Sequence, residues 1–171
     1  MVIQTNGCDG PSARALRREA VAIVTGGSVG TGREIARGLA GWGWAIVVVY
    51  LERQATTEAT VAEILASAGA IVAVRADLAD DIDVQRLFAE SRAAFGDVDV
   101  VVHTTTDSPA LLYQRAVRHV RRRGMIVSVA PADRVTPGVA RQLRERGVSV
   151  GSTSPEGVLS FLDRWGKQAV C

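Results

Sequence analysis

Short, nearly unbroken runs of valine and isoleucine recur along the chain, and stretches of helical period separate them. The runs occupy residues 21–25, 46–50, 71–75, 98–103, 125–130 and 148–151. Between them, in 32–40, 57–68, 82–95, 110–122 and 138–146, apolar residues return every third or fourth position, the spacing of one helical face. A strand with one face in water alternates apolar and polar residues, so a continuous run marks a strand covered on both faces. Strand and helix in alternation predict a parallel sheet with helices on either side, the doubly wound α/β arrangement. Gly69, Gly96, Gly124 and Gly147 stand where helices are expected to end, and Asp80 and Asp81 where one begins. Residues 1–18 mix Gly, Asn, Ser, Pro and charge without period and are expected as an irregular arm, leaving 19–171 as one domain of ordinary size. Trp42 and Trp44 flank Gly43 and are expected on the outer edge of the sheet.

Charge and cysteine usage remove several function classes. Twenty Lys and Arg against eighteen Asp and Glu leave a net charge of +2, from which no affinity for nucleic acid follows. Cys8 and Cys171 are too few and too remote for a disulfide framework or a zinc-ligand set, and no metal site is expected. The longest apolar stretch, 45–51, is far shorter than a membrane span, and no leader pattern opens the chain. The expectation is a cytoplasmic protein with free thiols and no membrane partner, monomeric or a homo-oligomer.

The first strand runs directly into Thr25-Gly26-Gly27-Ser28-Val29-Gly30-Thr31-Gly32, and a helical segment follows at once. Glycines at that junction let the backbone turn tightly and approach a diphosphate, while the helix N-terminus offers unpaired N–H groups and a partial positive charge. A plain tight turn is the alternative; the position between a buried strand and an amphipathic helix favours a dinucleotide site.

Here the chain resembles the short-chain dehydrogenases/reductases, whose Thr-Gly-x3-Gly-x-Gly motif is matched by Thr25, Gly26, Gly30 and Gly32. The resemblance implies a Rossmann-like fold with NADP or NAD as cofactor, and right-handed crossovers with the glycine loop after the first strand place the switch point between strands one and four, in the order 3-2-1-4-5-6. Ser28, Val29 and Thr31 of the loop join its glycines as expected cofactor contacts. Ala76-Asp77-Leu78 is similar to the family's adenine-binding strand end, which adds Asp77 and Leu78. His103-Thr104-Thr105-Thr106 stands where the family carries Asn-Asn-Ala-Gly and contributes Thr104 and Thr105. At the end of the second strand an acid accepts hydrogen bonds from the adenosine ribose, whereas an arginine accommodates a 2′-phosphate. Tyr50 and Arg53 are the contacts expected there; with Glu52 beside Arg53 the signs conflict, and the reading leans to NADP.

Past Thr106 the resemblance frays, and the second half reads as truncated. The family's acid/base Tyr needs a Lys four residues later, an interval that puts both side chains on one helical face. Here Gln54 and Val117 stand four residues after Tyr50 and Tyr113, and Lys167 is the sole lysine. The catalytic residues are therefore unknown. The candidates are His103, at the sheet edge where ligands of such folds bind, Tyr113 on the next helix, and Ser128 near the end of the fifth strand. The plainer readings are a hydrogen-bonded rim histidine, a Tyr113 that packs on its helix and a Ser128 that is part of the strand. Arg115, Arg118 and Arg122 are expected on one helical face opposite Leu112, Ala116 and Val120, as a solvated basic face. Three functions stay open. They are a divergent reductase acting on an unknown small molecule, a non-redox nucleotide sensor or partner of an active homologue, and a pocket reused for cyclisation, dehydration or isomerisation.

Overall fold

The computed structural model describes residues 20–52, 54–105, 109–129 and 135–169. The expected arm 1–18, Cys8, Arg53, Thr106 and Cys171 lie outside these residues. Six strands, β1 (Val21–Thr25), β2 (Ala45–Tyr50), β3 (Ala70–Arg75), β4 (Val98–His103), β5 (Val120–Ser128) and β6 (Ser149–Ser152), form one sheet in the order 3-2-1-4-5-6. Every pairing is parallel. The helices are α1 (Gly30–Gly41), α2 (Gln54–Ala66), α3 (Asp81–Phe95), α4 (Ala110–His119), α5 (Pro137–Glu145) and α6 (Val158–Ala169).

The valine and isoleucine runs are continuous because both faces of the central strands are covered. Alternate residues of β1 feed different layers. Val21 and Ile23 pack with Leu87 and Phe88 of α3, Leu112 of α4 and Leu143 of α5. Ala22 and Val24 pack with Ile35 and Leu39 of α1, Ile64 of α2 and Leu162 of α6. The edge strands differ: β3 buries only Ile71 and Val74, and β6 has no buried residue.

Two elements depart from the sequence expectation. The helix expected over 110–122 ends at His119, and Val120 is already extended, with φ −79° and ψ 134°. Leu112, Ala116 and Val120 keep helical spacing, but Val120 is buried by pairing with Val98 at the start of β5. Arg122 is therefore on a strand and shares no helical face with Arg115 and Arg118. The next pair in register is Val100 with Met125, so Arg121, Arg122, Arg123 and Gly124 all stand opposite Asp99. A side chain at Gly124 would overlap the Asp99 carbonyl oxygen, and Arg123 is held at φ +65°. Secondly, α6 lies beyond the last expected strand. It brings Trp165 edge-on to Trp44 at 6.4 Å, and Trp44 is edge-on to Trp42 at 5.8 Å. Trp44, 3% exposed, is thus a core residue of the α1/α2/α6 layer and not an outer-edge residue.

Leu162 is fully buried where α6 meets this layer. Leu162→Ala is expected to cost ~2–5 kcal/mol, read as a lower denaturant midpoint by circular dichroism. An unchanged midpoint would mean that α6 contributes nothing to the core.

Candidate functional site

At the carboxyl ends of β1, β2 and β3 the sheet opens into a cavity of about 730 Å³. Strand β1 pairs with β2 on one side and β4 on the other, so the connections leaving it diverge and leave a crevice. The glycine loop contributes Thr25, Gly26, Ser28 and Val29 to the wall, and the end of β2 contributes Tyr50, Leu51 and Glu52. Asp77 and Leu78 follow β3, and Thr105 follows β4. Ala110 and Leu111, from the first turn of α4, close the far side. Sequence reasoning missed these two; the signal available was only that a helix starts shortly after β4.

The loop's glycines have separate reasons. Gly26 sits at φ +62° and donates its N–H to the Val49 carbonyl at 3.1 Å. A Cβ there would come within 2.9 Å of Thr104 Oγ1 and of a Thr105 methyl, and one on Gly32 would overlap the Gly26 backbone. Gly30, at φ +48°, has nothing within 4 Å of the place a Cβ would take. Gly30, Thr31 and Gly32 form the first turn of α1, whose N-cap Val29 provides no side-chain cap and which has no acidic residue in that turn. The partial positive charge of this helix end is therefore left uncompensated by the first turn, the condition an anion requires.

Hydrogen bonds fasten the loop to β4. The Thr104 N–H donates to Thr25 Oγ1 at 3.1 Å, and the Thr104 hydroxyl donates to the Thr25 carbonyl at 2.5 Å. Thr25 Oγ1 also lies 3.1 Å from His103 Nδ1 in a buried hydrogen bond. Edge-on to the His103 ring, at 6.1 Å between centroids, stands Tyr113. Burial pushes the Tyr113 phenol pKa up, and the nearby Ser128 hydroxyl, outside hydrogen-bonding geometry, only partly offsets it. His103, Tyr113 and Ser128 are thus brought together at the ends of β4 and β5. They are 1%, 2% and 5% exposed, and none lines the cavity.

At the other end Asp77 makes a turn. Its carboxylate accepts the Ala79 N–H at 2.8 Å, while its own N–H donates to Asp83 Oδ2 at 2.9 Å. That N–H and Arg86, 2.6 Å away, hold the Asp83 carboxyl below the usual aspartate range. Arg75 donates Nε–H to the Leu51 carbonyl at 3.0 Å, fixing the β2 end. Arg115 of α4 donates to Asp81 of α3, which lowers the Asp81 carboxyl and raises the Arg115 guanidinium. Among the described residues no three His, Cys, Asp or Glu gather to hold a metal.

The sequence model of the short chain dehydrogenase family matches residues 20–147. An uncharacterized oxidoreductase of Methylorubrum extorquens is 31% identical over 134 residues, 78% of this chain and 54% of that protein, so the chain spans about half of its length. A 3-oxoacyl-(acyl-carrier-protein) reductase of Staphylococcus aureus is 27% identical over 183 aligned positions, 81% of this chain and 74% of the relative. That alignment is longer than this 171-residue chain, so the relative carries internal positions that have no counterpart here. The crystal structure of a short chain dehydrogenase from Burkholderia cenocepacia in complex with NADP superposes with a TM-score of 0.66 at 28% identity. It covers 80% of this chain and 74% of that one.

The Asp83 carboxylate, ionised more readily in the fold than in the unfolded chain, stabilises the fold above the ordinary aspartate pKa and loses that contribution as pH falls through its lowered value. The thermal midpoint is expected to drop on acidification below about pH 4, and Asp83→Asn to flatten that drop. Equal acid profiles for the two proteins would remove Asp83 from the support of the Asp77 turn.

Proposed function

The chain belongs to the short-chain dehydrogenase family, and we propose that its cavity binds a nicotinamide dinucleotide, NADP in preference to NAD, without the family's Tyr–Lys acid/base pair. The observation that carries the reading is the convergence on one cavity of an uncapped helix N-terminus, whose N-cap Val29 lines the wall, and the Asp77 turn, with nothing within 4 Å of the place a Cβ on Gly30 would take. Its volume lies within the usual range of small-molecule sites. The N-terminal turn of α1, with Gly26, Ser28 and Val29, would hold the diphosphate, and Asp77 with Leu78 the adenine. When bound, such a cofactor supplies hydride transfer. Thr25 and Thr104 keep the loop in place, and Leu111 covers the apolar wall. NADP is favoured by Arg53 in the sequence and by the NADP complex of the Burkholderia relative, whereas Glu52, on the cavity wall, is the group that would favour NAD.

The proton is the missing part. General acid catalysis contributes typically ~10²- to 10⁴-fold, and no Tyr here has a Lys at the fourth position. The burial of His103, Tyr113 and Ser128 supports a second reading, a dinucleotide-binding protein with little or no turnover.

Calorimetric titration of the full chain with NADPH, NADH and their oxidised forms tests the first reading; binding heats are expected, larger in affinity for NADP(H). Gly30→Val is expected to abolish them, because its side chain would occupy diphosphate space. Left-handed strain of ~1–2 kcal/mol at that residue is small against the stability of a domain, so the fold survives. Undiminished heats would reduce the loop to a turn. NADPH-dependent reduction of generic ketones is expected to be absent or very weak. Robust turnover destroyed by His103→Ala, with cofactor binding retained, would make the histidine catalytic and sink the second reading.

A further inference from the structure

The edge of the sheet opposite the cavity carries a different chemistry. Nine of the chain's twenty Lys and Arg residues fall between Arg115 and Arg146, against two of its eighteen Asp and Glu. The fold brings Arg118, Arg121, Arg122, Arg123, Arg144 and Arg146 to one edge, because α3, α4 and α5 all end where β4 and β5 begin. There Arg121, Arg122 and Arg123 leave the ladder together opposite Asp99. The Arg121 guanidinium pairs with Asp99 at 3.2 Å, whereas Arg122 and Arg123 are exposed and have no carboxylate partner among the described residues. The end of α5 comes alongside: a Cβ on Gly147 would lie 3.9 Å from the Arg123 nitrogen. Arg146 Nε is buried there without a hydrogen-bond partner among the described residues. His119, stacked on Phe88, has its pKa lowered first by burial and then by Arg115, Arg92, Arg118 and Arg146, so these cations crowd one spot.

Helix-dipole compensation accounts for Arg118 and Arg144, in the last turns of α4 and α5. It does not account for Arg122 and Arg123, which are on a strand. Arg123 in addition holds a left-handed backbone that glycine would adopt without strain, and a local cost retained in this way points to use.

We infer that this arginine edge, centred on the bulge 121–123 and flanked by Arg118, Arg144 and Arg146, is a docking surface for a carboxylate-bearing segment of a partner protein. Forked guanidinium donors match carboxylates two bonds at a time, as Arg115 of α4 does with Asp81, and at the edge itself Arg121 already pairs with the Asp99 carboxylate of its own chain. Nucleic acid fits less well. A duplex presents phosphates without interruption, and the exposed Asp97 and Glu145 at the rim would face them, while among the described residues no exposed aromatic side chain of this edge offers a base a stacking partner. A protein segment places its carboxylates only where the arginines stand.

The full chain is titrated with a labelled oligoglutamate peptide and, at equal total charge, with duplex DNA, by fluorescence anisotropy at two ionic strengths. The peptide is expected to bind more tightly than the DNA, and more weakly as salt rises. Arg122→Ala and Arg123→Gly should each weaken peptide binding by about threefold to tenfold, and Arg164→Ala, on α6, should leave it unchanged. Arg123→Gly should at the same time raise the thermal midpoint, separating a binding role from a structural one. Tighter binding of DNA, no binding of the peptide at low salt, peptide binding indifferent to both bulge variants, or a lowered midpoint in Arg123→Gly would each overturn the inference. Dinucleotide titration of the same variants is expected to match the unaltered protein, so this surface and the cavity can fail independently.

Discussion

Hydrogen bonds between Thr25 and Thr104 hold the exit of β1 against the exit of β4, and the cavity depends on that closure. These two strands are neighbours whose outgoing chains part, one towards α1 and one towards α4. Without a tie at their ends the crevice would have no fixed inner wall. Thr25 suits the place because its hydroxyl accepts from the Thr104 N–H while meeting His103 Nδ1, and all of this happens at a residue with no exposure. The close fit of Gly26 under Thr104 and Thr105, and of Gly32 over Gly26, follows from it. Side chains and glycines here are one packing problem, with the threonine loop of β4 acting as the lid on the turn that leaves β1.

The fold was legible because its central strands are buried on both faces, and burial on both faces writes itself into sequence as uninterrupted Val and Ile. The cavity end of β1 was legible for a similar reason: a turn that tolerates no Cβ demands Gly26 and Gly32 at fixed places. Where the sequence misled, two periods agreed locally. Val120 continues the i, i+4 row of Leu112 and Ala116 and also starts a strand, and only pairing with Val98 separates the two. Trp44 was misplaced because what covers it, Trp165 of α6, is more than a hundred residues away in the chain. The mutual approach of His103, Tyr113 and Ser128 is likewise a product of three separate elements, invisible until the sheet order is set.

The irregular start of β5 follows from the shortness of α4. Ten residues of α4 rise about 15 Å, while the six of β4 span about 20 Å, so the helix by itself does not return the chain to the starting edge of the sheet. The chain makes up the distance in extended backbone, beginning β5 at Val120, directly at the C-cap of α4. Residues left over before Met125 are forced out as a bulge against Asp99. The same economy that removes a connecting loop therefore concentrates cationic side chains where the strand is least regular.

The gathering of Trp42, Trp44 and Trp165 has an optical consequence. The chain has three tryptophans, and all of them sit in one cluster under α1 and α6, at the end of β2 where that strand begins. Indole emission from this protein is consequently a single-address signal. It reports the seating of the last helix on one face of the sheet and is remote from direct contact with anything lodged at the carboxyl ends of the strands. Loss of that seating alone would show as a spectral change with the sheet intact, and an emission trace would register the departure of α6 as if it were the unfolding of the whole.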